Sequence, residues 1–210
     1  MRITEIFFSL QGESNTVGLP TVFIRLTGCP LRCQYCDTQY AFKGGKLMTI
    51  PDILQQVSHY TTKYITVTGG EPLAQPDSLL LLTKLCEHGY IVSLETSGAL
   101  DIALVDKRVI KVMDLKTPGS GEEHRNLYSN LTHITANDQI KFVICHRNDY
   151  EWAKEMCMQY KLLDKCEVLF SASFEEQSSQ ELAQWILVDQ LMVRFQLQMH
   201  KYLWGNQPGH

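Results

Sequence analysis

The chain has 210 residues, of which 44% are hydrophobic and 20% charged, and its formal net charge is −4. This length predicts one compact domain over 1–210 whose core needs no disulfides, and the acidic balance argues against a broad nucleic-acid footprint. The start of the chain lacks the pattern of a cleavable signal, and no apolar run reaches the roughly 18 residues that span a bilayer. We therefore expect a cytoplasmic protein with a small-molecule partner, no nucleic acid and no membrane.

Short β-branched and apolar runs recur along the chain and predict strands. In chain order they lie at 21–26, 64–68, 90–95, 109–115, 140–144, 167–172 and 192–198. Segments with helical spacing fall between many of them, at 49–60, 76–88, 149–163 and 178–191. Alternating strands and helices indicate an α/β fold with a parallel sheet. Six or seven strands are too few for a closed eight-stranded barrel, so we predict a partial, open TIM-like barrel of about six parallel strands with helices outside.

Four of the first predicted strands run directly into polar or glycine-rich turns. The turns read TGCP, TGGEP, ETSG and DLKTP. Because the carboxyl ends of parallel strands share one rim, where ligands bind, these turns are expected to converge. The stretch 117–138 is predicted to be a mobile loop with a short helix.

Cys29, Cys33 and Cys36 lie within eight residues, in the stretch TGCPLRCQYCDT. In a reducing compartment such a group indicates metal binding or redox chemistry rather than disulfides. Three thiolates at this spacing fit a zinc site that lacks one ligand, or an iron–sulfur cluster with one iron not held by cysteine. Neither His59 nor Cys86 is an obvious fourth ligand. The remaining cysteines are expected to be small core residues: Cys86, Cys145, Cys157 and Cys166.

The spacing Cys-x3-Cys-x2-Cys, with Tyr35 before the last cysteine, resembles the signature of the radical S-adenosylmethionine (SAM) superfamily. TGGEP at 68–72 resembles that superfamily's second-strand motif, although a tight strand-to-helix turn would also explain Gly69 and Gly70. The resemblance implies a radical SAM core with a [4Fe–4S] cluster on the three cysteines. In that superfamily the open iron chelates SAM, and one electron splits SAM into methionine and a 5′-deoxyadenosyl radical. An electron donor such as flavodoxin or ferredoxin is the implied partner.

Six segments together resemble the 7-carboxy-7-deazaguanine synthase family from end to end of the chain: LQGE, FIRLTGCPLRCQYCDT, TGGEP, ETSG, DLK and HKYLWG. The resemblance implies a lyase that converts 6-carboxy-5,6,7,8-tetrahydropterin to 7-carboxy-7-deazaguanine. The implied steps are hydrogen abstraction at C6, ring contraction and loss of ammonia, in queuosine and 7-deazapurine biosynthesis, a tRNA modification pathway. It further implies that SAM is regenerated, that Mg²⁺ is required and that the enzyme is a homodimer.

The family resemblance also assigns residues by matching motif, with no catalytic group beyond the cluster and SAM. The N-terminal segment 1–27 would bind substrate, and the C-terminal tail 199–210 would close the rim. Thr38 would join the Mg²⁺ shell, although a lone threonine is usually a turn residue. Substrate contacts are expected at Leu10, Gln11, Gly12, Glu13, Arg25, Thr96 and His200. SAM contacts are expected at Tyr35, Cys36, Asp37, Gly69, Gly70, Glu71, Gly98, Asp114, Leu115 and Lys116.

Some of these residues have simpler interpretations, and two other functions remain open. Arg25 suits a substrate carboxylate as a bidentate donor, but it could be a surface arginine beside a polar turn. Asp114 and Lys116 could form a surface pair.

A glycyl-radical-enzyme activase would share the cysteine spacing but has no use for LQGE or Arg25. A non-catalytic zinc-binding module would leave TGGEP and ETSG unexplained.

Overall fold

One continuous sheet organises the protein in the computed structural model, which describes residues 1–174, 176–205, 207 and 209. Within those residues the strands are β1 (Arg2–Leu10), β2 (Pro20–Leu26), β3 (Lys46–Leu47), β4 (Tyr64–Gly69), β5 (Ile91–Thr96), β6 (Ile110–Asp114), β7 (Gln139–Ile144), β8 (Glu167–Ala172) and β9 (Arg194–Gln196). Their spatial order is β3-β1-β2-β4-β5-β6-β7-β8-β9. From β2 to β9 all neighbours in this order are parallel, whereas β1 is antiparallel to both β2 and β3.

The sheet is open, because β3 and β9 lie at opposite ends of the strand order. This confirms the predicted α/β open barrel. All seven predicted strands are present: 167–172 has the predicted ends, and the ends of the other six are shifted by one or two residues. The prediction missed β1 and β3. β1 forms a hairpin with β2, and its sequence RITEIFFSL mixes charged and apolar residues where the sequence analysis expected only a substrate-binding segment.

Five α-helices accompany the sheet in the described part of the chain: α1 (Ile50–Val57), α2 (Ser78–Glu87), α3 (Arg147–Gln159), α4 (Ser179–Val188) and α5 (Met199–Trp204). The first four confirm the predicted helical segments. α1 begins at a capping box in which Thr49 and Asp52 each accept a backbone N–H from the other, which satisfies donors that the helix leaves unpaired. No helix in the described ranges is long and apolar enough to cross a membrane.

The stretch 117–138, predicted to be a loop with a short helix, contains three short 3₁₀ helices: Pro118–Ser120, Glu123–Arg125 and Tyr128–Thr132. Fully buried Asn130 ties it to the segment after β5. Its Nδ2 donates to Gly98 O at 3.1 Å and to Leu100 O at 2.8 Å.

Residue alternation along the strands separates an apolar core from a polar cavity. One face of the sheet packs against the helices, and its side chains are fully buried hydrophobics such as Ile24, Val67 and Leu94. Residues on the other face point into the barrel, because successive side chains of a strand lie on opposite faces. These inward residues include Arg25, Thr68, Glu95, Asp114 and Lys141, and all five line one cavity.

The four cysteines outside the cluster motif belong to the packing, as predicted. Cys145 and Cys157 are buried. Cys86 and Cys166 are half-buried and pack against the core.

Candidate active site

The three motif cysteines lie in residues 27–38, the cluster loop, which follows β2. All three thiols are free and half-buried, and they line a cavity of about 530 Å³ at the carboxyl ends of the parallel strands. Backbone hydrogen bonds fix the loop: Gly28 N donates to Ala41 O at 2.8 Å, and Gln34 N donates to Ser120 O at 3.0 Å. Residues from all four predicted turns line this cavity, so the expected convergence is confirmed.

The environment of the thiols fits cluster ligation. Burial raises the pKa of all three, that of Cys33 to about 11 although Lys116 opposes the shift. Ligation must therefore displace their protons, as it does at other thiolate metal sites. Among residues 1–174, 176–205, 207 and 209, no three His, Cys, Asp or Glu side chains are grouped to hold one metal ion. A [4Fe–4S] cluster needs no such grouping, since its cysteines bind different irons.

The TGGEP turn packs directly on the backbone of the cluster loop. Gly69 has a φ of 147°, and a Cβ there would lie 2.3 Å from Leu26 O. A Cβ on Gly70 would lie 2.1 Å from Gly28 O. Glu71 N donates to the same Gly28 O at 2.8 Å. Both glycines are therefore required by close backbone approach, and this turn positions the chain immediately before Cys29.

Glu71 connects the TGGEP turn to the ETSG turn. Its fully buried carboxylate accepts hydrogen bonds from Thr96 Oγ1 at 2.9 Å and from Ser97 N at 2.7 Å. Thr96 and Ser97 in turn line the cavity. Glu71, Gly98 and Leu115 lie behind the cavity wall, so their predicted contacts with SAM stay predictions.

Asp114 and Lys116 form an ion pair of 2.9 Å whose side chains are only 15% and 10% exposed. Their alternative interpretation as a surface pair is therefore wrong. Burial opposes the charge of Lys116, but Asp114 and Cys33 raise the pKa of Lys116 above its usual range. Asp114 Oδ1 and Tyr35 OH are buried without a hydrogen-bond partner among the described residues. Both residues line the cavity, so their unsatisfied groups fit a polar ligand such as SAM.

Lys141 connects Glu13 to Asp114 of this pair. Its Nζ lies 2.6 Å from Glu13 Oε2 and 3.8 Å from Asp114 Oδ2. Burial alone would lower the pKa of Lys141, but the two carboxylates, with that of Glu95, raise it well above its usual range. Burial also opposes ionisation of Glu13, yet Lys141 holds its pKa below the ordinary value. Sequence analysis missed Lys141, although a lone cation within the apolar run IKFVI was a usable signal.

Glu95 is a second cavity residue that sequence analysis missed, although it opens the ETSG motif. Thr68 Oγ1 donates to Glu95 Oε2 at 2.9 Å, and Gln11 Nε2 lies 3.4 Å from Glu95 Oε1. Gln11 Nε2 also donates to Thr66 Oγ1 at 3.1 Å. Burial and the nearby charge of Glu13 raise the pKa of Glu95. This carboxyl group therefore keeps its proton to higher pH than an ordinary glutamate does.

Arg25 lies at the cavity wall rather than on an open surface. Its Nε donates to Glu5 Oε1 at 2.7 Å, and the side chains are 14% and 20% exposed. Tyr40 OH donates to the same oxygen at 2.8 Å. Phe7 and Phe23 stack with their ring centroids 4.9 Å apart and form an apolar wall beside Arg25. The site thus offers a cation next to aromatic surface.

The tail brings α5 against both the N-terminal segment 1–27 and the cluster loop. Met199 N donates to Gly12 O at 3.0 Å, and a Cβ on Gly12 would lie 2.3 Å from His200 Nδ1. Lys201 Nζ lies 3.2 Å from Asp37 Oδ2. Burial lowers the pKa of His200, an effect that Glu13 partly opposes. His200 is therefore neutral near pH 7.

Thr38 lies next to the cluster ligands, and its Oγ1 donates to Asp37 Oδ1 at 2.7 Å. Both residues line the cavity. A hydroxyl and a carboxylate are oxygen ligands of the kind that Mg²⁺ accepts while retaining water, so the residues present fit this ion. The predicted residues that line the cavity, besides the three cysteines, are Leu10, Gln11, Gly12, Glu13, Arg25, Tyr35, Asp37, Thr38, Gly69, Gly70, Thr96, Asp114, Lys116 and His200.

Comparisons with known proteins give the same family as the motifs that line this cavity. The profile of the Radical SAM superfamily matches residues 23–161. The 7-carboxy-7-deazaguanine synthase of Chlorobaculum tepidum is 42% identical over 209 residues, which are 98% of this chain and 94% of the relative. That of Koribacter versatilis is 43% identical over 97% of both chains. The crystal structure of QueE from Escherichia coli superposes with a TM-score of 0.77 over 95% of this chain and 94% of that one, at 23% identity. The chain therefore belongs to the 7-carboxy-7-deazaguanine synthase family of the radical SAM superfamily.

Proposed function

We propose that this chain converts 6-carboxy-5,6,7,8-tetrahydropterin to 7-carboxy-7-deazaguanine, a radical SAM step of queuosine and 7-deazapurine biosynthesis. One observation carries the proposal: a single cavity joins the three motif thiols to Glu13, Arg25 and His200, which are expected to bind substrate. Its volume of about 530 Å³ lies within the range of small-molecule sites.

The side chains divide the cavity into a cofactor side and a substrate side. Cys29, Cys33 and Cys36 would hold a [4Fe–4S] cluster, and Tyr35 and Asp114 would bind SAM through their unsatisfied polar atoms. When bound, these groups would supply the radical chemistry that removes hydrogen from the substrate, and the family resemblance implies that SAM is regenerated.

On the substrate side, each residue has a binding role that follows from its charge. Arg25 would pair with the substrate carboxylate, because a guanidinium is suited to such pairing. Glu13, kept ionised by Lys141, accepts hydrogen bonds and would bind N–H groups of the pterin. Neutral His200 closes the same side from the tail, which would exclude water while the substrate is bound.

Magnesium belongs to this proposal as an ion that links protein and substrate. Thr38 would supply one oxygen, and Asp37 accepts a hydrogen bond from it. Because Mg²⁺ takes few protein ligands and keeps several others from water or substrate, one hydroxyl at the cavity wall suffices as an anchor.

Three wider features also remain proposals: a homodimeric state, a flavodoxin or ferredoxin as electron donor, and a cytoplasmic location. The donor follows from the electron that SAM cleavage needs. The location follows from the free thiols, which are typical of a reducing compartment.

The test is anaerobic turnover of the reconstituted protein with dithionite, SAM, Mg²⁺ and 6-carboxytetrahydropterin, followed by mass spectrometry. We expect 7-carboxy-7-deazaguanine without stoichiometric loss of SAM. Cys33→Ala should lose the cluster and turnover together, whereas Arg25→Ala should keep the cluster and lose efficient use of the substrate. Formation of 5′-deoxyadenosine without this product would show that the substrate is wrong. No product of either kind from protein with an intact cluster would exclude the activity.

A further inference from the structure

A second cavity adjoins the active site near the open edge of the sheet. It lies between the segment that follows β8 and the segment that follows β9, and its volume is about 270 Å³. Three of its lining residues, Ser173, Phe174 and Gln198, also line the main cavity. We call this second cavity the side pocket. The two cavities share a wall made by these three residues.

The side pocket extends from the interior of the barrel to the surface. At its inner end Ser173 and Gln196 are 2% and 5% exposed, whereas Tyr202 at its outer end is 66% exposed. The mouth of the main cavity is covered differently, because α5 lies over it and Lys201 pairs with Asp37 of the cluster loop at 3.2 Å. The side pocket is therefore a second route from the site to solvent.

The two cavities differ in charge. The nine described residues that line the side pocket are all uncharged, whereas the main cavity is lined by cations such as Arg25 and Lys141 and by carboxylates such as Glu13. A charge that enters an uncharged pocket loses its hydration without gaining a counterion. The side pocket therefore suits a small neutral polar molecule and disfavours the charged substrate and cofactor.

Polar groups in and beside the side pocket lack a partner. Gln196 Nε2 donates to Ser14 O at 3.1 Å, and Gln196 Oε1 is buried with no hydrogen-bond partner among the described residues. The hydroxyl of Ser171, the register partner of Gln196 on β8, is also buried without such a partner. Since buried polar groups are ordinarily hydrogen-bonded, both groups fit a small molecule that donates N–H or O–H. A volume of about 270 Å³ has room for several molecules of this size, because water takes about 30 Å³ in the liquid.

The shared wall contacts a residue that is expected to bind the pterin. Gln198 Nε2 donates to Glu13 Oε1 at 2.9 Å. The proposed function releases ammonia from the pterin ring in this cavity. Ammonia that took up a proton there would be held as ammonium by the carboxylate of Glu13, and it would compete with the N–H groups of the next substrate. A route for neutral ammonia beside Gln198 avoids this competition.

We propose that the side pocket is the exit route for the ammonia that the reaction releases, used while the larger product still occupies the main cavity. The inference rests on the proposed function. Neutral ammonia passes Gln198, donates a hydrogen bond to Gln196 Oε1, and takes up a proton from water only at the surface near Tyr202.

The test obstructs the side pocket with Ser179→Trp. Ser179 is half-buried and lines the side pocket but not the main cavity. The matched control is Gln180→Trp, at the next residue of the first turn of α4, which is exposed and lines neither cavity. Each reconstituted holoenzyme is supplied with dithionite, SAM, Mg²⁺ and 6-carboxytetrahydropterin. Rapid-quench mass spectrometry then measures product formed in the first turnover and in the steady state.

We expect kcat of Ser179→Trp to fall about tenfold, because release of ammonia then limits turnover. Its first-turnover rate and its kcat/KM should stay at the wild-type values, because the substrate enters and reacts in the main cavity. Gln180→Trp should match the wild-type protein in all three quantities. Leu197→Trp obstructs the side pocket from the segment after β9 and should reproduce the lower kcat, so a folding defect at position 179 does not decide the result.

Three kinetic results would overturn the proposal: wild-type kcat in both obstructed variants, an equal fall in Gln180→Trp, or a first-turnover rate that falls as far as kcat. The dissociation rate of added 7-carboxy-7-deazaguanine should be the same in all four proteins. Slower dissociation from the obstructed variants would also overturn the proposal, because the side pocket would then serve the deazaguanine rather than ammonia.

The wild-type protein separates this proposal from the proposed function. If it forms no product with an intact cluster, the proposed function is wrong, and the exit role is rejected with it. If it forms product and the obstructed variants keep its kcat, the proposed function holds and the exit role alone is wrong.

Discussion

At the scale of single residues, the cavity depends on buried charges that neutralise one another. Lys141 lies within 3.8 Å of carboxylates from two different parts of the site, Glu13 and Asp114. Removing one member of a buried pair leaves the other charge unpaired, which costs more than the pair contributes. The lysine therefore holds Glu13 and Asp114 in position relative to each other.

We predict that Lys141→Met lowers the free energy of unfolding by about 3 kcal/mol and lowers kcat/KM by at least about tenfold. Chemical denaturation and dithionite-driven turnover measure the two effects. Lys111→Met is the matched control, because Lys111 pairs with Asp138 at 3.0 Å and both side chains are buried, at the amino ends of the strands. The control should be destabilised and keep its kcat/KM. Equal activity losses in the two variants would show that Lys141 acts through stability alone.

His200 gives a pH dependence whose sign follows from its burial. The pKa of His200 is lowered in the folded protein, so the unfolded chain binds the proton more tightly. The contribution of neutral His200 to the free energy of unfolding is therefore fully present above about pH 6.5, the ordinary pKa of histidine. It is lost as the pH falls from there through the lowered pKa of the folded state.

We predict that His200→Gln reduces the loss of unfolding free energy between about pH 7 and pH 5.5, relative to the wild-type protein. Urea denaturation at several pH values measures this loss. His59→Gln serves as the control because His59 is exposed, and it should leave the wild-type profile intact. A His200→Gln profile parallel to that of the wild-type protein would contradict the assignment.

At the scale of elements, the TGGEP turn and the cluster loop form one structural unit. Gly70 allows two backbones to approach so closely that Glu71 N reaches Gly28 O at 2.8 Å. Gly69 and Gly70 thus shape the site by allowing two backbones to pack closely, which a residue with a Cβ would prevent.

We predict that Gly70→Ala displaces the cluster loop, because the new Cβ would lie 2.1 Å from Gly28 O. The expected result is loss of cluster absorbance after reconstitution, with circular dichroism unchanged. Gly18→Ala is the control, since Gly18 has a φ of 84° and a Cβ added there would meet nothing within 4 Å; it carries backbone strain without a clash. Full cluster content in Gly70→Ala would exclude this packing role.

At the scale of the whole molecule, the sequence predicted most of the parallel sheet, because its strands are short apolar runs bounded by turns. It predicted the convergence of the turns because parallel strands share one rim. It did not predict Lys141 or Glu95 as site residues, since their roles depend on which face of the strand points inward. The α5 contacts with Gly12 and Asp37 were likewise not predictable, because they join segments far apart in the chain.

The separation of core and cavity predicts how the molecule responds to loss of its cluster. The hydrophobic core lies between the sheet and the helices, whereas the cluster thiols face the polar cavity. We expect the cluster-free protein to keep its circular dichroism spectrum, because core packing does not involve the thiols.

Hydrogen exchange should then report a local change on cluster removal. Protection should fall in the cluster loop and in the segments that hydrogen-bond to it, around Ala41, Glu71 and Ser120, and stay constant in β7 and β8. Cys33→Ala, which removes one iron ligand, should reproduce the pattern without chelation. Loss of protection throughout the sheet would show instead that the cluster is a structural centre of the fold, and the division between an apolar core and a separable polar site would then be wrong.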